Sequence, residues 1–228
     1  MTVTDVNVVK SAIFERPDDA NKGTLGSLLC VCGSYGMAGA AVMSAKGALR
    51  TGIGLAKCAL PRSIYPIVAQ TILESVYYPL SENADGRISK VNVPFLVSES
   101  CKSSATLVGC GLGVCDDTLK IVFSLIENST TPLVLDADAL NCVAKQPEIL
   151  LRKKAPIIIT PHPGEMSRLT GLATPLVNAE RERVALDFAQ KYGVVTVLKG
   201  AGTVIASPNG KVLVNPTGNS GMATGGSG

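Results

Sequence analysis

The sequence predicts an α/β protein: a three-layer αβα sandwich around a mostly parallel central sheet, with antiparallel edge strands near the C-terminus. Three observations predict it. Short apolar runs that end at glycine or proline alternate with helical patterns along most of the chain. The helical patterns are long enough to serve as crossovers between parallel strands. Late in the chain, strand-like runs crowd together around Ser207-Pro208-Asn209-Gly210, a hairpin signal.

The first strand-like run is Leu28–Cys32, followed by an Ala-rich pattern over Met37–Gly52 with apolar residues at helical spacing. Gly54–Leu60 and Ala105–Val108 read as buried strands. Asp116–Glu127 opens with an acidic pair suited to the positive end of a helix and continues as an amphipathic pattern. Pro132–Leu135 and Pro156–Ile159 are two further strands. Val177–Tyr192 reads as one long helix whose Glu180, Arg181, Glu182 and Arg183 face solvent. Val194–Leu198, Thr203–Ala206 and Lys211–Val214 are the closing strands. With no internal repeat and no linker composition, residues 1–228 read as one domain.

Composition narrows the function classes. Hydrophobic residues make up 46% and charged residues 17%, so a disordered chain is excluded. No apolar run approaches the roughly 18 residues of a spanning helix, and the N-terminus lacks a signal-peptide layout, so no membrane partner is expected. A net charge of +3 is too mild for a nucleic-acid binder. Seven cysteines, an odd number without C-x-x-C spacing, read as reduced thiols of a cytoplasmic protein. The single histidine, His162, has no cysteine near it in sequence, so no metal ligands are assigned.

In open α/β sheets, ligands lie beyond the carboxyl ends of the strands. Here those ends carry small residues again and again: 33–41, 109–113, 136–141, 160–165, 199–203 and 215–228. One glycine-rich end is an ordinary turn; six in succession point to a ligand that approaches backbone amides. Walker-A and G-x-G-x-x-G spacings are absent. His162 sits between two prolines, which stiffen and aim its loop; its structural alternative is a plain satisfied histidine. Asp136 and Asp138 fit either helix capping or the organisation of a Mg²⁺ or phosphate site. Lys199 is either a solvated strand-end lysine or a cation for phosphate.

Taken together, the motifs resemble the ADP-dependent NAD(P)H-hydrate dehydratase family, a ribokinase-like group. The matching segments are Lys22-Gly23-x-x-Gly26, GSYGMAGAA (33–41), ALRTGIGL (48–55), GCGLG (109–113), PLVLDADALN (132–141), TPHPGEMSRL (160–169), VLKGAGTVIASPNG (197–210) and NPTGNSGMATGGSG (215–228). The resemblance implies a ribokinase-like fold. It also implies repair of the hydrated cofactors NADHX and NADPHX. ADP or ATP, with Mg²⁺, phosphorylates the added ring hydroxyl, and loss of phosphate restores NADH or NADPH.

Carried over by residue, the resemblance implies that Ala40, Gly109, Gly111, His162 and Asn219 contact the hydrated nucleotide. Lys199, Gly200, Ala201, Gly202 and Thr203, with Gly228, surround the adenine nucleotide. Gly225, Gly226, Ser227 and Gly228 form an anion hole at a helix N-terminus. It further implies a homo-oligomer, a tetramer. Two departures stand out. Cys110 occupies a position where the family usually has proline. The family continues GGSG with an aspartate base, whereas this sequence stops at Gly228, so a truncated domain is expected. A small-molecule kinase of the same fold, and a non-catalytic nucleotide-binding fragment, remain the alternatives.

Overall fold

A computed structural model describes residues 2–3, 9–10 and 16–226 of the chain. Ten strands form one sheet: β1 (Thr2–Val3), β2 (Ser27–Val31), β3 (Leu55–Pro61), β4 (Val76–Leu80), β5 (Ala105–Val108), β6 (Leu133–Leu135), β7 (Ile157–Ile159), β8 (Val195–Leu198), β9 (Thr203–Ala206) and β10 (Val212–Asn215). Their spatial order is β1-β10-β9-β8-β7-β6-β5-β2-β3-β4. Every ladder is parallel except β8–β9 and β9–β10. The expected mostly parallel sheet with antiparallel strands near the C-terminus is therefore present. One addition is β1, which pairs parallel with β10 outside the hairpin.

Among residues 16–226, eight α-helices accompany the sheet: α1 (Ala38–Thr51), α2 (Tyr65–Thr71), α3 (Val93–Cys101), α4 (Asp116–Asn128), α5 (Asp138–Val143), α6 (Pro163–Thr170), α7 (Thr174–Ala179) and α8 (Arg181–Tyr192). Helix α1 is built from small residues, and Ala41 and Ala45 are buried where it lies close on the sheet. Gly52 ends it in the left-handed region at φ 100°, donating to Ala48 and Leu49 carbonyls, a conformation a side chain resists.

The strands alternate their faces. Cys30, Ala56, Cys58 and Leu60 pack with Ile64, Val68 and Ile72 beneath α1 and α2. Leu29, Val31, Val108, Leu135 and Ile159 point the other way and meet Ile121, Leu125, Leu140 and Phe188 of the opposite helix layer. Each fully buried leucine or isoleucine contributes about 1.5–3 kcal/mol. Over β7 the first face is only partly covered, and Ile158 is 36% exposed. The seven cysteines are free thiols; Cys30, Cys32, Cys58 and Cys142 are buried.

Four features differ from the sequence reading. The helix expected over Val177–Tyr192 is two helices, broken at Glu180, whose backbone leaves the helical region at φ −125°, ψ 40°. Arg181, expected on the solvent face, turns inward as described below. Strand β4 and helices α2 and α3 are additional. Strand β4 carries Pro79, which marks it as an edge strand because proline cannot donate to a ladder on both sides. The expected β9–β10 hairpin is present: it turns through Ser207–Gly210, with Gly210 N–H donating to Ser207 O at 3.0 Å and Gly210 at φ 93°.

Candidate functional site

The sheet order reverses at β2. The chain leaves β2 for β3 on one side and later places β5 on the other. This is the topological switch point, where a crevice opens beyond the strand ends. The loops leaving β2 and β5 are fastened across it. Gly33 N–H donates to Cys110 O at 2.8 Å, and the buried Ser34 hydroxyl donates to Gly111 O at 2.7 Å. A Cβ added at Gly111 would stand 2.7 Å from the Ala40 Cβ. The structure therefore packs Ala40 directly against the buried Gly111, where no side chain fits. Tyr35 and Met37 are exposed beside it. Tyr35 N–H donates at 2.9 Å to Gly86 O, on a turn that the sequence reading did not single out.

Gly109 stands apart from that pair. At φ 127°, its absent Cβ would lie 1.8 Å from Asp136 O. Glycine is required there for contact between two loops of the protein itself.

Asp136 and Asp138 flank Ala137, the one non-glycine with positive φ among the described residues (φ 51°, ψ −115°). Such a conformation costs of order 1–3 kcal/mol and persists where its surroundings over-determine it. The surroundings are visible. Asp138 Oδ2 accepts from Gly113 N–H at 2.8 Å, and Oδ1 accepts from Asn141 Nδ2 at 3.3 Å. Asp136 Oδ1 accepts from Lys199 Nζ at 2.7 Å, and the Cys110 thiol lies 3.6 Å from Asp136 Oδ2. Both carboxylates thus serve loop organisation. Cys32 stands behind Cys110; its hydrogen bond to that thiol, together with burial, pushes the Cys32 thiol up.

Lys199 is held on two sides. Beyond Asp136, its ammonium lies 4.0 Å from Glu165 Oε2, and its own N–H donates to Pro161 O at 2.8 Å. These bonds stitch the loops after β6, β7 and β8 together. Its charge is compensated by protein carboxylates before any ligand arrives.

His162 caps α6. Its Nδ1 accepts from Gly164 and Glu165 N–H groups, and Glu165 Oε2 accepts from the His162 N–H at 2.8 Å. This is a reciprocal capping box with an imidazole in place of a hydroxyl. Since Nδ1 is an acceptor here, the ring's proton sits on Nε2, 3.5 Å from Glu165 Oε1. The side chain is 50% exposed, so Nε2 and the ring edge stay accessible at the same sheet end.

Gly200, Ala201, Gly202 and Thr203 complete the loop from β8 to β9, where the Thr203 hydroxyl donates to Gly200 O at 3.0 Å. Asn219 is exposed, and its side chain makes a local turn, accepting from Gly221 N–H at 2.9 Å. Gly225 and Gly226 are exposed; a Cβ at Gly226 would fall 2.4 Å from Met43 Sδ, so this segment runs over α1 near the crevice. Ser227 and Gly228 lie outside the described residues.

Among the described residues, no group of three or more His, Cys, Asp or Glu side chains is placed to hold a metal ion. No helix among them is long and apolar enough to cross a membrane.

The family model described as NAD(P)H-hydrate dehydratase matches residues 28–228. A bifunctional NAD(P)H-hydrate repair enzyme of Thermofilum pendens is 41% identical over 213 residues, covering 93% of this chain and 41% of that protein. The ADP-dependent (S)-NAD(P)H-hydrate dehydratase of Neisseria meningitidis is 34% identical, covering 93% of this chain and 69% of that protein. The crystal structure of the ADP/ATP-dependent NAD(P)H-hydrate dehydratase of Bacillus subtilis, co-crystallized with ATP/Mg²⁺, superposes with a TM-score of 0.82 at 30% identity. It covers 99% of this chain and 76% of that one. The chain thus spans about two fifths of the bifunctional relatives it matches.

Proposed function

This chain belongs to the NAD(P)H-hydrate dehydratase family, and from that premise we propose that it provides the dehydratase site of a nicotinamide-nucleotide repair enzyme. In this reading, ADP gives its terminal phosphoryl group to the hydroxyl of the hydrated nicotinamide ring, leaving AMP. The ring then loses a proton and the phosphate group leaves, which restores the double bond of NADH or NADPH. The balance is hydrated nucleotide plus ADP to reduced nucleotide, AMP and inorganic phosphate. ATP in place of ADP leaves ADP as the product.

One observation carries this reading. The loops that carry Ala40 and Gly111 and the glycine loop after β8 lie at the same sheet end, and a fixed chain of contacts joins them: Gly111 and Cys110, then Asp136, then Lys199. Two ligands bound at opposite ends of that chain would be held in register, which is how phosphoryl transfer gains most of its rate. The hydrated nucleotide occupies the Ala40–Gly111 end. His162 offers it Nε2–H, and Asn219 lies on the exposed segment after β10. The adenine nucleotide takes the 199–203 loop. Gly225 and Gly226, which run over α1, belong to the segment that would meet its phosphates. Mg²⁺ fits this site as a companion of the phosphates, since Asp136 and Asp138 are already engaged by protein donors. A homo-oligomer in the cytoplasm belongs to the same reading.

Binding and turnover test it separately. Calorimetry should find one site for ADP with Mg²⁺ and one for hydrated NADH. The absorbance of reduced nicotinamide should return only when both are present. Accumulation of a stable phosphorylated nucleotide, without the return of that absorbance, would replace dehydration with simple kinase activity.

A further inference from the structure

We propose that Arg181 is the positioning residue of the adenine-nucleotide loop. It turns that loop's carbonyls inward and leaves its amides outward for the ligand. The inference rests on the reading of 199–203 as the nucleotide loop and adds to it a residue from a different element.

Arg181 opens helix α8, where a cation meets the positive end of the helix dipole. That position is unfavourable on electrostatic grounds, and no carboxylate among the described residues forms an ion pair with it. The guanidinium reaches across to the β8–β9 loop instead. Its Nη2 donates to the carbonyls of Leu198 at 2.8 Å, Lys199 at 3.1 Å and Gly202 at 3.4 Å. Its Nε is buried without a partner among the described residues. Burial also lowers its pKa, so the charge is held there at a cost in solvation. An arginine placed merely for solubility would show none of these features.

The consequence lies in the loop. Thr203 takes the Gly200 carbonyl, and Arg181 takes those of Leu198, Lys199 and Gly202. The amides of Gly200, Ala201 and Gly202 have no partner among the described residues. Gly200 and Gly202 supply the positive φ values, 144° and 67°, that the arrangement needs. Gly200 also admits the guanidinium, because a Cβ there would stand 2.7 Å from Arg181 Nη1. A cation on the Lys199 carbonyl polarises that same peptide unit and makes the Gly200 N–H a stronger donor. A cleft of about 610 Å³ opens beside the loop, and its lining includes Glu180, Arg181, Glu182, Arg183, Ala201 and Gly202. A set of free amides with positive potential behind it suits an anionic nucleotide.

Lysine cannot reproduce this. All three bonds converge on Nη2, and a lysine stem ends one bond short of that atom with a more strongly hydrated ammonium. The test compares the full parent chain with Arg181→Lys and Arg181→Met. It reads ADP affinity, hydrated-NADH affinity and amide exchange over residues 199–203. Arg181→Lys keeps the charge and the stem, and should melt with the parent. Both variants should bind ADP about tenfold more weakly, through lost preorganisation, with faster loop exchange and unchanged affinity for hydrated NADH. Parent-like ADP affinity in Arg181→Lys would overturn the proposal, as would equal weakening for both ligands. If the parent itself failed to bind ADP, the nucleotide reading of the loop would fall and this proposal with it. Unchanged loop exchange, with ADP still bound by the parent, would remove Arg181 alone.

Discussion

Lys199 Nζ donates to Asp136 Oδ1 at 2.7 Å, joining the loop after β8 to the loop after β6. Both side chains are about one-fifth exposed, so the pair is screened but not solvated. The two residues stand 63 positions apart in sequence, and their contact fixes the spacing between the two halves of the candidate site.

This pair should behave as a coupled unit. In urea unfolding, Asp136→Asn and Lys199→Met should each destabilise the chain. The double variant should be less destabilised than the sum of the two, by about 1 kcal/mol. Strict additivity would show that the contact fixes nothing.

Gly109 and Gly225 make a matched pair of opposite expectation. Gly109→Ala forces a Cβ to 1.8 Å from Asp136 O at φ 127°. It should cost more than about 3 kcal/mol or prevent folding. Gly225→Ala meets nothing within 4 Å and should melt with the parent.

His162 has a cap role in the structure and a proposed ligand role, and one substitution separates them. Asparagine is a good N-cap, so His162→Asn should keep stability within about 0.5 kcal/mol, whereas His162→Ala should lose about 1 kcal/mol. Asparagine has no imidazole Nε2–H, and affinity for hydrated NADH should fall in both variants. Parent-like affinity in His162→Asn would leave the histidine as a cap and nothing more.

The thiols set the alkaline limit. Burial pushes the Cys142 thiol up to about 12, and the Cys30 thiol is raised further by burial with Cys58 and Cys110 nearby. An unfolded thiol titrates near about 8.5. Folding therefore favours the protonated thiol. That stability is intact below the unfolded value and is lost as pH climbs towards about 12 for Cys142. Chemical denaturation across alkaline pH should show the decline, and Cys142→Ser should flatten part of it. Alkylation of the native chain should reach Cys101, Cys110 and Cys115 before the four buried thiols.

The sequence made some of this legible and hid the rest for physical reasons. Strands β5 and β9 fall on their expected residues because a buried parallel or hairpin strand is a short apolar run with turn residues at its ends. Strand β4 escaped because Pro79 interrupts the pattern, and only its place at the sheet edge makes the proline harmless. The His162 cap was written in His-Pro-Gly-Glu, since Glu165 stands at the third helical position where a capping box needs it. Lys199 and Asp136 were both visible as strand-end residues. Their contact was not, because it depends on β6, β7 and β8 lying side by side. Arg181 was hidden most completely. In Glu180-Arg181-Glu182-Arg183 it is one charge among four, and only the helix break at Glu180 turns it towards the β8–β9 loop.

The proposed function requires one sheet end to hold two nucleotide sites joined by a fixed chain of contacts. Equilibrium binding of ADP and hydrated NADH to the chain, each in the presence of the other, tests it most directly. Both should bind together in equal proportion. His162→Asn should weaken only hydrated NADH, while Arg181→Lys should weaken only ADP. Mutual exclusion of the two ligands, or loss of both in either variant, would contradict the account.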